Sequence, residues 1–464
     1  MNTPLITVYI TNYNYEKYIK QSIESVLNQT FDNFELFIID DGSIDNSKAI
    51  IESYANYPQV NIVYQKNKGL NITNNIALRL ANGKYIMRLD ADDYLVPNAL
   101  EEMVKMLELD PTLGMVFPDY YLIDAKNEVI AEVKRHDFKE EVHLLDQPAH
   151  GACTMIRKEF LNLVGGYDES YSCQDGYELW IKFTAKYKVT NIGEMLFYYR
   201  QHGENLTSNE DRILRTRRDI NGNFIKNNEI IIPKTIAIMP IRNTGINGNI
   251  LPFIELGGKK VIDIRISELL MAKHITKLVI TSAVPEIKRY ITSNYASESR
   301  VIFIDRPKEL ARYNVSLLGT IDHILDHDKI KSLNPEAFMV VPVEYIFQSG
   351  STIDDAVNAL VIFKADSLIS VRAENATFYQ HHGNGMVPIL HQSNYTQLER
   401  EALHKGVGGI QLCNIEAFRI ERKVLAGKVG HIVVNQKTAQ GIFSDFDLQI
   451  VNLLIEKETR ILKR

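Results

Sequence analysis

The first ninety residues alternate short apolar runs with longer segments in which apolar residues recur every three or four positions. The runs are rich in β-branched and aromatic residues, and they predict strands at 5–10, 34–39, 60–64 and 84–89. The segments between them have the spacing of amphipathic helices. Strand, helix, strand in repeated order predicts right-handed crossovers and a parallel sheet.

Polar residues follow each of these predicted strands. They are Thr11, Asn12 and Asn14, then Asp40 and Asp41, then Asn67, and finally Asp90, Asp92 and Asp93. The carboxyl ends of parallel strands lie at one edge, where open sheets bind ligands. Helix caps and turns also use Asp and Asn, and for one loop alone that interpretation is the better one. Four such loops in succession favour a nucleotide and metal site.

The acidic triplet at the end of the fourth strand predicts the metal ligands. In extended geometry Asp90 and Asp92 point to the same side, because side chains repeat with a period of two. Neighbouring carboxylates repel each other unless a cation lies between them, and oxygen ligands suit Mg²⁺ or Mn²⁺.

A second strand and helix pattern begins near residue 235. It predicts strands at 236–242, 278–281, 338–342 and 367–371, with a helix over 262–270. Residues 208–234 are charged and rich in Asn, which predicts an exposed helical connector. We therefore expect two α/β units of the doubly wound, Rossmann-like class, at 1–207 and 235–464.

Composition narrows the class of protein. A chain of 464 residues is too long for one ordinary core. A net charge of −6 gives no support to a nucleic-acid partner. The three cysteines lack metal-ligand spacing, and there is no signal pattern or long apolar run, which indicates a cytoplasmic protein. Any membrane-bound substrate is then met peripherally, at the inner face of the membrane.

Five motifs in the first half resemble those of the family 2 glycosyltransferases of GT-A fold, in order and spacing. They are Thr11-Asn12-Tyr13-Asn14, 25–30 (SVLNQT), Asp40-Asp41-Gly42-Ser43, Asn67-Lys68-Gly69 and Asp90-Ala91-Asp92-Asp93. The resemblance covers about residues 5–207. It implies an inverting, metal-dependent transferase that moves a sugar from a nucleotide-diphosphate donor to a saccharide or lipid-linked acceptor, in surface polysaccharide or glycoconjugate synthesis. Thr73-Asn74-Asn75 departs from the common Ala-Arg-Asn, so the donor sugar stays open.

The resemblance also assigns roles to individual residues. Asp41 matches the base-contacting Asp, Asp92 the metal-binding Asp, and Asp175 in Gln174–Trp180 the catalytic base. His202 follows the stretch that closes over the diphosphate, where it either touches metal or phosphate or is structural. The remaining predicted donor-site residues are Thr11, Asn12, Asn14, Asn67 and Asp90. Asp175 also has a structural interpretation, as a helix N-cap with Glu178 at capping-box spacing.

The second half resembles the cytidylyltransferases that activate sialic acid and related sugars, over about 235–455. The matching pieces are 239–242 (MPIR), 257–259 (GGK), 306–311 (RPKELA), 366–371 (DSLISV) and 445–448 (DFDL). The chain departs from this family's pattern at the positions that carry its catalysis. Residues 243–249 contain no lysine, Ala283 replaces an acid, 341–345 replaces a Gln-Pro-Thr-Ser-Pro segment, and 441–443 replaces a carboxylate pair. We therefore expect a degenerate domain in which Arg242 and Arg306 either hold an anion or form surface salt bridges.

Two other functions stay open at this level. One is a bifunctional enzyme whose second half also synthesises an activated sugar. The other is a scaffold that binds sugars or nucleotides without catalysis, although Asp41, Asp90, Asp92 and Asp175 fill the four expected positions. A degenerate second half could orient the acceptor, bind another enzyme or mediate homo-oligomers.

Overall fold

A computed structural model describes residues 3–134, 151–201, 210–243, 245–246, 248–312, 314–374, 379–381, 386–388 and 403–462. The chain divides into two compact units, Met1–Arg217 and Arg218–Arg464. Among the described helices, none is both long enough and apolar enough to cross a membrane.

The first unit follows the predicted order of strands and helices. Its strands are β1 (Ile6–Asn12), β2 (Phe34–Asp40), β3 (Val60–Tyr64), β4 (Tyr85–Asp90), β5 (Tyr94–Leu95), β6 (Leu113–Ile123), β7 (Val129–Val133), β8 (Met155–Arg157) and β9 (Lys188–Arg200). Its helices are α1 (Ile19–Leu27), α2 (Ser47–Glu52), α3 (Leu70–Leu80), α4 (Ala99–Leu109), α5 (Lys158–Leu163) and α6 (Asp175–Thr184). Helix α7 (Glu210–Asn227) lies in the predicted connector, and the division between the units falls within it.

These strands form one sheet in the order β3-β2-β1-β4-β8-β6-β9-β5, with β7 paired to β6. The first four strands are parallel, as the pattern predicts. Strand β8 is antiparallel to both β4 and β6, so the whole sheet is mixed.

Side-chain alternation along these strands divides the core of the first unit between the two faces of the sheet. Val8 and Met87 pack on one face with helices α1 and α4. Tyr9 and Ile86 belong to the cluster on the opposite face, which contains residues of α3, α5 and α6. Helices on both faces bury a parallel sheet, which explains the near-continuous apolar runs of β2 and β4.

The second unit is also α/β. Its strands are β10 (Thr235–Ile241), β11 (Gly245–Ile246), β12 (Asn249–Ile250), β13 (Glu255–Leu256), β14 (Lys259–Lys260), β15 (Ile275–Ser282), β16 (Val301–Asp305), β17 (Ala337–Val340), β18 (Ser367–Glu374), β19 (Tyr379–His381), β20 (Met386–Pro388), β21 (Leu403–Asn414) and β22 (Val429–Val433). Its helices are α8 (Val261–Met271), α9 (Pro285–Asn294), α10 (Leu318–Leu325), α11 (Asp328–Lys331), α12 (Gly350–Ile362), α13 (Ile415–Glu421) and α14 (Asp445–Leu462).

The main sheet of the second unit has the order β16-β15-β10-β17-β21-β18-β22. Strands β16, β15, β10 and β17 run parallel, and β21 is antiparallel to both of its neighbours. The chain moves outward from β10 to β15 and β16 and then returns to β17 on the other side. The gap between the carboxyl ends of β10 and β17 is therefore the topological switch point of this sheet.

Candidate active site

The parallel register brings the predicted strand ends together at one edge of the first sheet. Asn12 is paired with Asp40, and Thr11 with Asp90. Their side chains also meet, because Asn12 Nδ2 donates to Asp40 Oδ2 at 2.8 Å and Thr11 Oγ1 donates to Asp90 Oδ1 at 3.3 Å. Residues nearly eighty positions apart thus meet at one edge of the sheet, as the sequence predicts.

Asn14 holds the loop that follows β2. Its backbone takes a left-handed conformation with φ of 62°, which Asn tolerates better than most residues. Its Oδ1 accepts a hydrogen bond from the Ile44 amide at 2.9 Å, and its own amide donates to Ser43 Oγ at 2.9 Å. In this conformation the side-chain oxygen of Asn14 is used to shape the site.

Asp41 is buried, and both of its carboxylate oxygens bind the turn after β3. Oδ1 accepts from the Lys68 amide at 2.8 Å and from Gln65 Nε2 at 2.7 Å, and Oδ2 accepts from the Gly69 amide at 2.9 Å. Asn67 lies in this turn, with its amide against Gly42, where a Cβ would come within 2.8 Å. Asp41 and Asn67 are therefore neighbours, and the position of the turn depends on Asp41.

Arg88 joins two of the predicted site carboxylates. It lies on β4 with its side chain 6% exposed, and its Nε pairs with Asp90 Oδ1 at 3.0 Å. Its Nη1 pairs with Asp175 Oδ2. Burial alone lowers the pKa of Arg88, but Asp175 and Asp90 outweigh burial and raise that pKa well above its usual value. The guanidinium is therefore charged and links the donor edge to the predicted base.

Asp175 does not form the capping box that the sequence spacing allows. The residue before helix α6 is Gln174, in a left-handed conformation, and no side chain caps the helix. Asp175 is the first helical residue and points to Arg88, while Glu178 pairs with Lys182 at 2.7 Å. The capping interpretation is wrong, because the cations Arg88 and Lys182 attract these carboxylates more strongly than free amides do.

Helix α3 fixes the loop that leads to Asp175. Asn75 Nδ2 donates to the Tyr167 carbonyl at 2.8 Å, and Asn71 Nδ2 donates to the carbonyls of Asp168 and Tyr171 at 2.7 and 3.0 Å. Trp180, on α6, is buried in the core as the sequence indicates. The contacts with α3 and the burial of Trp180 together hold the start of α6 in place.

The acidic triplet adopts a turn and is not extended. Strand β4 ends at Asp90, and the Asp93 amide donates to the Asp90 carbonyl at 3.1 Å. The period-two argument for Asp90 and Asp92 therefore fails, because Ala91 and Asp92 lie within this turn and are not extended. The carboxylates nevertheless remain close: burial raises the pKa of Asp90, Arg88 opposes this rise, and repulsion by Asp92 and Asp175 adds to it.

Arg200, at the end of β9, forms hydrogen bonds with this turn. It is 1% exposed; its amide donates to Asp93 Oδ1 at 2.9 Å and its Nε donates to the Asp92 carbonyl at 2.8 Å. Its guanidinium also donates to Gln21 Oε1 at 3.0 Å. Burial, then Asp92 and Asp90, raises the pKa of Asp93 well above its usual value. Arg200 thus fixes the backbone that presents Asp92.

A divalent cation fits the chemistry of this edge. The described residues contain no group of three metal-ligating side chains, and His202 lies outside the described residues. Asp90 and Asp92 supply hard oxygen atoms, and their two carboxylates repel each other. Mg²⁺ commonly takes one or two carboxylates and completes its shell with water and substrate phosphates. Two carboxylates are therefore enough for such an ion.

Sequence reasoning missed Arg88 and Arg200. A signal for Arg88 exists, because a charged residue inside a buried strand needs a partner, and strand alternation puts it on the face of Asp90. No local signal identifies Asp175 as its second partner. Arg200 gave no signal beyond its place in the stretch 198–202, and its role depends on contacts with residues more than seventy positions away.

In the second unit, Arg242 directly follows β10 and Arg306 directly follows β16, and β15 lies between these two strands in the sheet. Arg306 is 3% exposed and comes directly after β16; its Nη2 donates to the Leu310 carbonyl at 2.6 Å. Its Nε and Nη1 have no hydrogen-bond partner among the described residues. Burial and then the charge of Arg242 lower the pKa of Arg306 to about 10. Arg306 is buried and so forms no surface salt bridge, which excludes that alternative for it.

The comparisons with known proteins concern mainly the first unit. Residues 7–164 match the family described as Glycosyl transferase family 2. An uncharacterized glycosyltransferase of Methanocaldococcus jannaschii is 35% identical over 214 residues, which cover 43% of this chain and 72% of that protein. The chain belongs to the family 2 glycosyltransferases.

Two polysaccharide synthases are also similar to this chain. Chondroitin synthase of Escherichia coli is 34% identical over 203 residues, covering 44% of this chain and 30% of the synthase. Chondroitin synthase of Pasteurella multocida is 26% identical over 369 residues, covering 71% of this chain and 38% of the synthase. The chain thus spans about a third of the length of these two relatives.

Among solved structures, TarS 1–349 of S. aureus in complex with UDP-GlcNAc matches with a TM-score of 0.41 and 21% identity, covering 47% of this chain and 66% of TarS.

Proposed function

We propose that the first unit is an inverting, metal-dependent glycosyltransferase of GT-A fold that uses a nucleotide-diphosphate sugar. One observation carries the proposal: a single buried guanidinium, Arg88, contacts both Asp90 at the donor edge and Asp175 at the start of α6. An inverting transfer needs a base on the acceptor side within reach of the donor site. The pair Asp90 and Asp175 has that arrangement.

The proposed reaction uses the residues as follows. Asp175 borders a small cleft with Gly151, Tyr167 and Trp180, which an acceptor hydroxyl enters. Asp175 takes the proton of that hydroxyl as the oxygen attacks the anomeric carbon. A new carbon–oxygen bond forms, and the bond from the anomeric carbon to the diphosphate breaks. Asp90 and Asp92 would hold a divalent ion, which would neutralise charge on the leaving diphosphate.

The donor nucleotide lies, in this proposal, along the edge formed by Thr11, Asn12, Asn14, Asp41 and Asn67. The family supports a nucleotide-sugar donor and a saccharide acceptor. Relatives named chondroitin synthase, hyaluronan synthase and UDP-Glc:alpha-D-GlcNAc-diphosphoundecaprenol beta-1,3-glucosyltransferase support a role in polysaccharide synthesis. The last name also supports a lipid-linked acceptor, which a cytoplasmic enzyme meets peripherally at the membrane.

Hydrolysis of nucleotide sugars tests the proposal. The full chain is incubated with UDP-glucose, UDP-N-acetylglucosamine, UDP-glucuronic acid and GDP-mannose in Mn²⁺, and nucleoside diphosphate release is measured with and without EDTA. We expect turnover of at least one donor and its loss in chelator. Asp92→Asn should lose most of this turnover, whereas the exposed Asp32→Asn keeps it. Full turnover in excess EDTA contradicts the metal assignment.

For the second unit we propose an anion site at Arg242 and Arg306 without nucleotidyl transfer. The two unpartnered nitrogens of the buried Arg306 support it. Calorimetry on the full chain with phosphate, CMP and CTP should show binding that Arg306→Gln weakens and the exposed Arg289→Gln does not. Metal-dependent pyrophosphate release from CTP with a nonulosonic acid would instead favour the bifunctional alternative.

A further inference from the structure

The position of the Asp175 carboxylate depends on Arg88 more than the position of the Asp90 carboxylate does. Within the part of the chain that the structure describes, Arg88 is the one hydrogen-bond partner of the Asp175 carboxylate. Asp90 has other contacts: Thr11 Oγ1 donates to its side chain at 3.3 Å, and Ser22 Oγ donates to its carbonyl at 3.2 Å. Removing Arg88 therefore releases the base while the donor carboxylate stays in place.

The guanidinium itself is held in one position. The Arg88 carbonyl accepts from the Cys153 amide at 2.7 Å, which ties β4 to the segment after residue 150. Gly151, in that segment, lies directly against the guanidinium: a Cβ there would overlap Nη2 and lie 3.1 Å from Cζ. A methyl group at residue 151 thus displaces the guanidinium without removing its charge.

We propose that Arg88 is a positioning residue that orients Asp175 as the base of the transfer. The proposal deepens the proposed function and rests on it. Arg88 itself touches neither substrate nor reacting atoms, and it acts by fixing the direction of the Asp175 carboxylate. Its planar fork can contact two carboxylates at once, which the point charge of a lysine cannot do in the same geometry.

The kinetic prediction separates positioning from charge balance. Arg88→Lys keeps the charge but loses the fork, so kcat for transfer should fall by about tenfold to 100-fold, the range expected for a misplaced catalytic group. The KM for the donor should change by less than about twofold, because Asp90 keeps Thr11 and Ser22. Gly151→Ala should likewise lower kcat for transfer and change the KM for the donor by less than about twofold.

A double-mutant cycle tests whether Arg88 acts through Asp175. Transfer is measured for wild type, Arg88→Lys, Asp175→Asn and the double variant, with the donor found in the hydrolysis panel and maltose, cellobiose and N,N′-diacetylchitobiose as acceptors. If the proposal holds, Arg88→Lys costs less than about twofold in the Asp175→Asn background. Equal losses in both backgrounds, or a rise in donor KM with kcat unchanged, overturn it.

Arg157 provides the matched control. It is a buried arginine of the same sheet, on β8, and its guanidinium donates to the carbonyls of Leu113 and Leu107 at 3.2 and 2.8 Å. Arg157→Lys should lower the free energy of unfolding without lowering kcat for transfer relative to the donor KM.

A separate readout distinguishes failure of this inference from failure of the proposed function. If wild type turns over no donor, the proposed function fails. The same four proteins are then unfolded in urea with Trp180 fluorescence as the probe. Coupled losses of stability between Arg88 and Asp175 support the pairing, and additive losses overturn it.

Discussion

Asp41 gives the sharpest test of how the donor edge is built. Its carboxylate accepts three hydrogen bonds from the turn at 65–69, two at Oδ1 and one at Oδ2. Asp41→Asn keeps one oxygen, which can serve Gln65 and Lys68. The new amide group then faces the Gly69 amide, so that two donors oppose each other where a hydrogen bond existed.

The expected loss of stability follows from that geometry. A hydrogen bond to a charged acceptor contributes about 1.5–3 kcal/mol, and Asp41 is 6% exposed, so water cannot replace the lost partner fully. We expect the free energy of unfolding of the first unit to fall by about 2 kcal/mol. With an m value of about 2 kcal/mol/M, the urea midpoint falls by about 1 M.

The single tryptophan makes this measurement specific to the first unit. Trp180 is buried against Phe117, with ring centroids 5.7 Å apart, and the chain has one Trp, so its fluorescence reports the unfolding of this unit. Asp32→Asn removes the same charge at an exposed position and should leave the midpoint unchanged. UDP affinity, measured by calorimetry, should fall in Asp41→Asn because the turn moves. An unchanged midpoint with lost UDP affinity refutes the reasoning and shows that Asp41 contacts the base without shaping the turn.

Three further predictions concern the same unit. Asp175→Asn should lower kcat for transfer by about 100-fold or more and leave donor affinity nearly unchanged, because the residue acts on the acceptor; lost donor binding in equilibrium titrations contradicts this. Arg200→Met should cost about 1–3 kcal/mol in urea unfolding, since the buried Asp92 carbonyl loses the guanidinium that donates to it, and an unchanged urea midpoint contradicts the assigned contact. Gly83→Ala should impair folding, because a Cβ would lie 2.5 Å from the Thr7 amide and 2.7 Å from the Tyr85 carbonyl, both backbone atoms that cannot give way; normal soluble yield and an unchanged urea midpoint contradict it.

The sequence by itself determined the elements and the edge of the first unit. Apolar periodicity placed β1 to β4 within a residue or two of their observed bounds, and it predicted helices between them. Because these strands are parallel and in register, Asn12, Asp40 and Asp90 had to meet at one edge. The same periodicity identified the strands β10, β15, β17 and β18 of the second unit.

Tertiary structure alone decided which partner each charged residue has. Arg88 and Asp175 are 87 positions apart, and they meet because α6 packs its apolar face on the sheet beside β4. Asp175 does not cap the helix for the same reason: a buried guanidinium nearby attracts its carboxylate more strongly than free helix amides do. Arg200 holds the turn of Asp92 and Asp93 because β9 ends beside that turn. Local sequence encodes backbone conformation and the buried face, whereas charge pairing depends on distances that exist only once the helices have packed on the sheet.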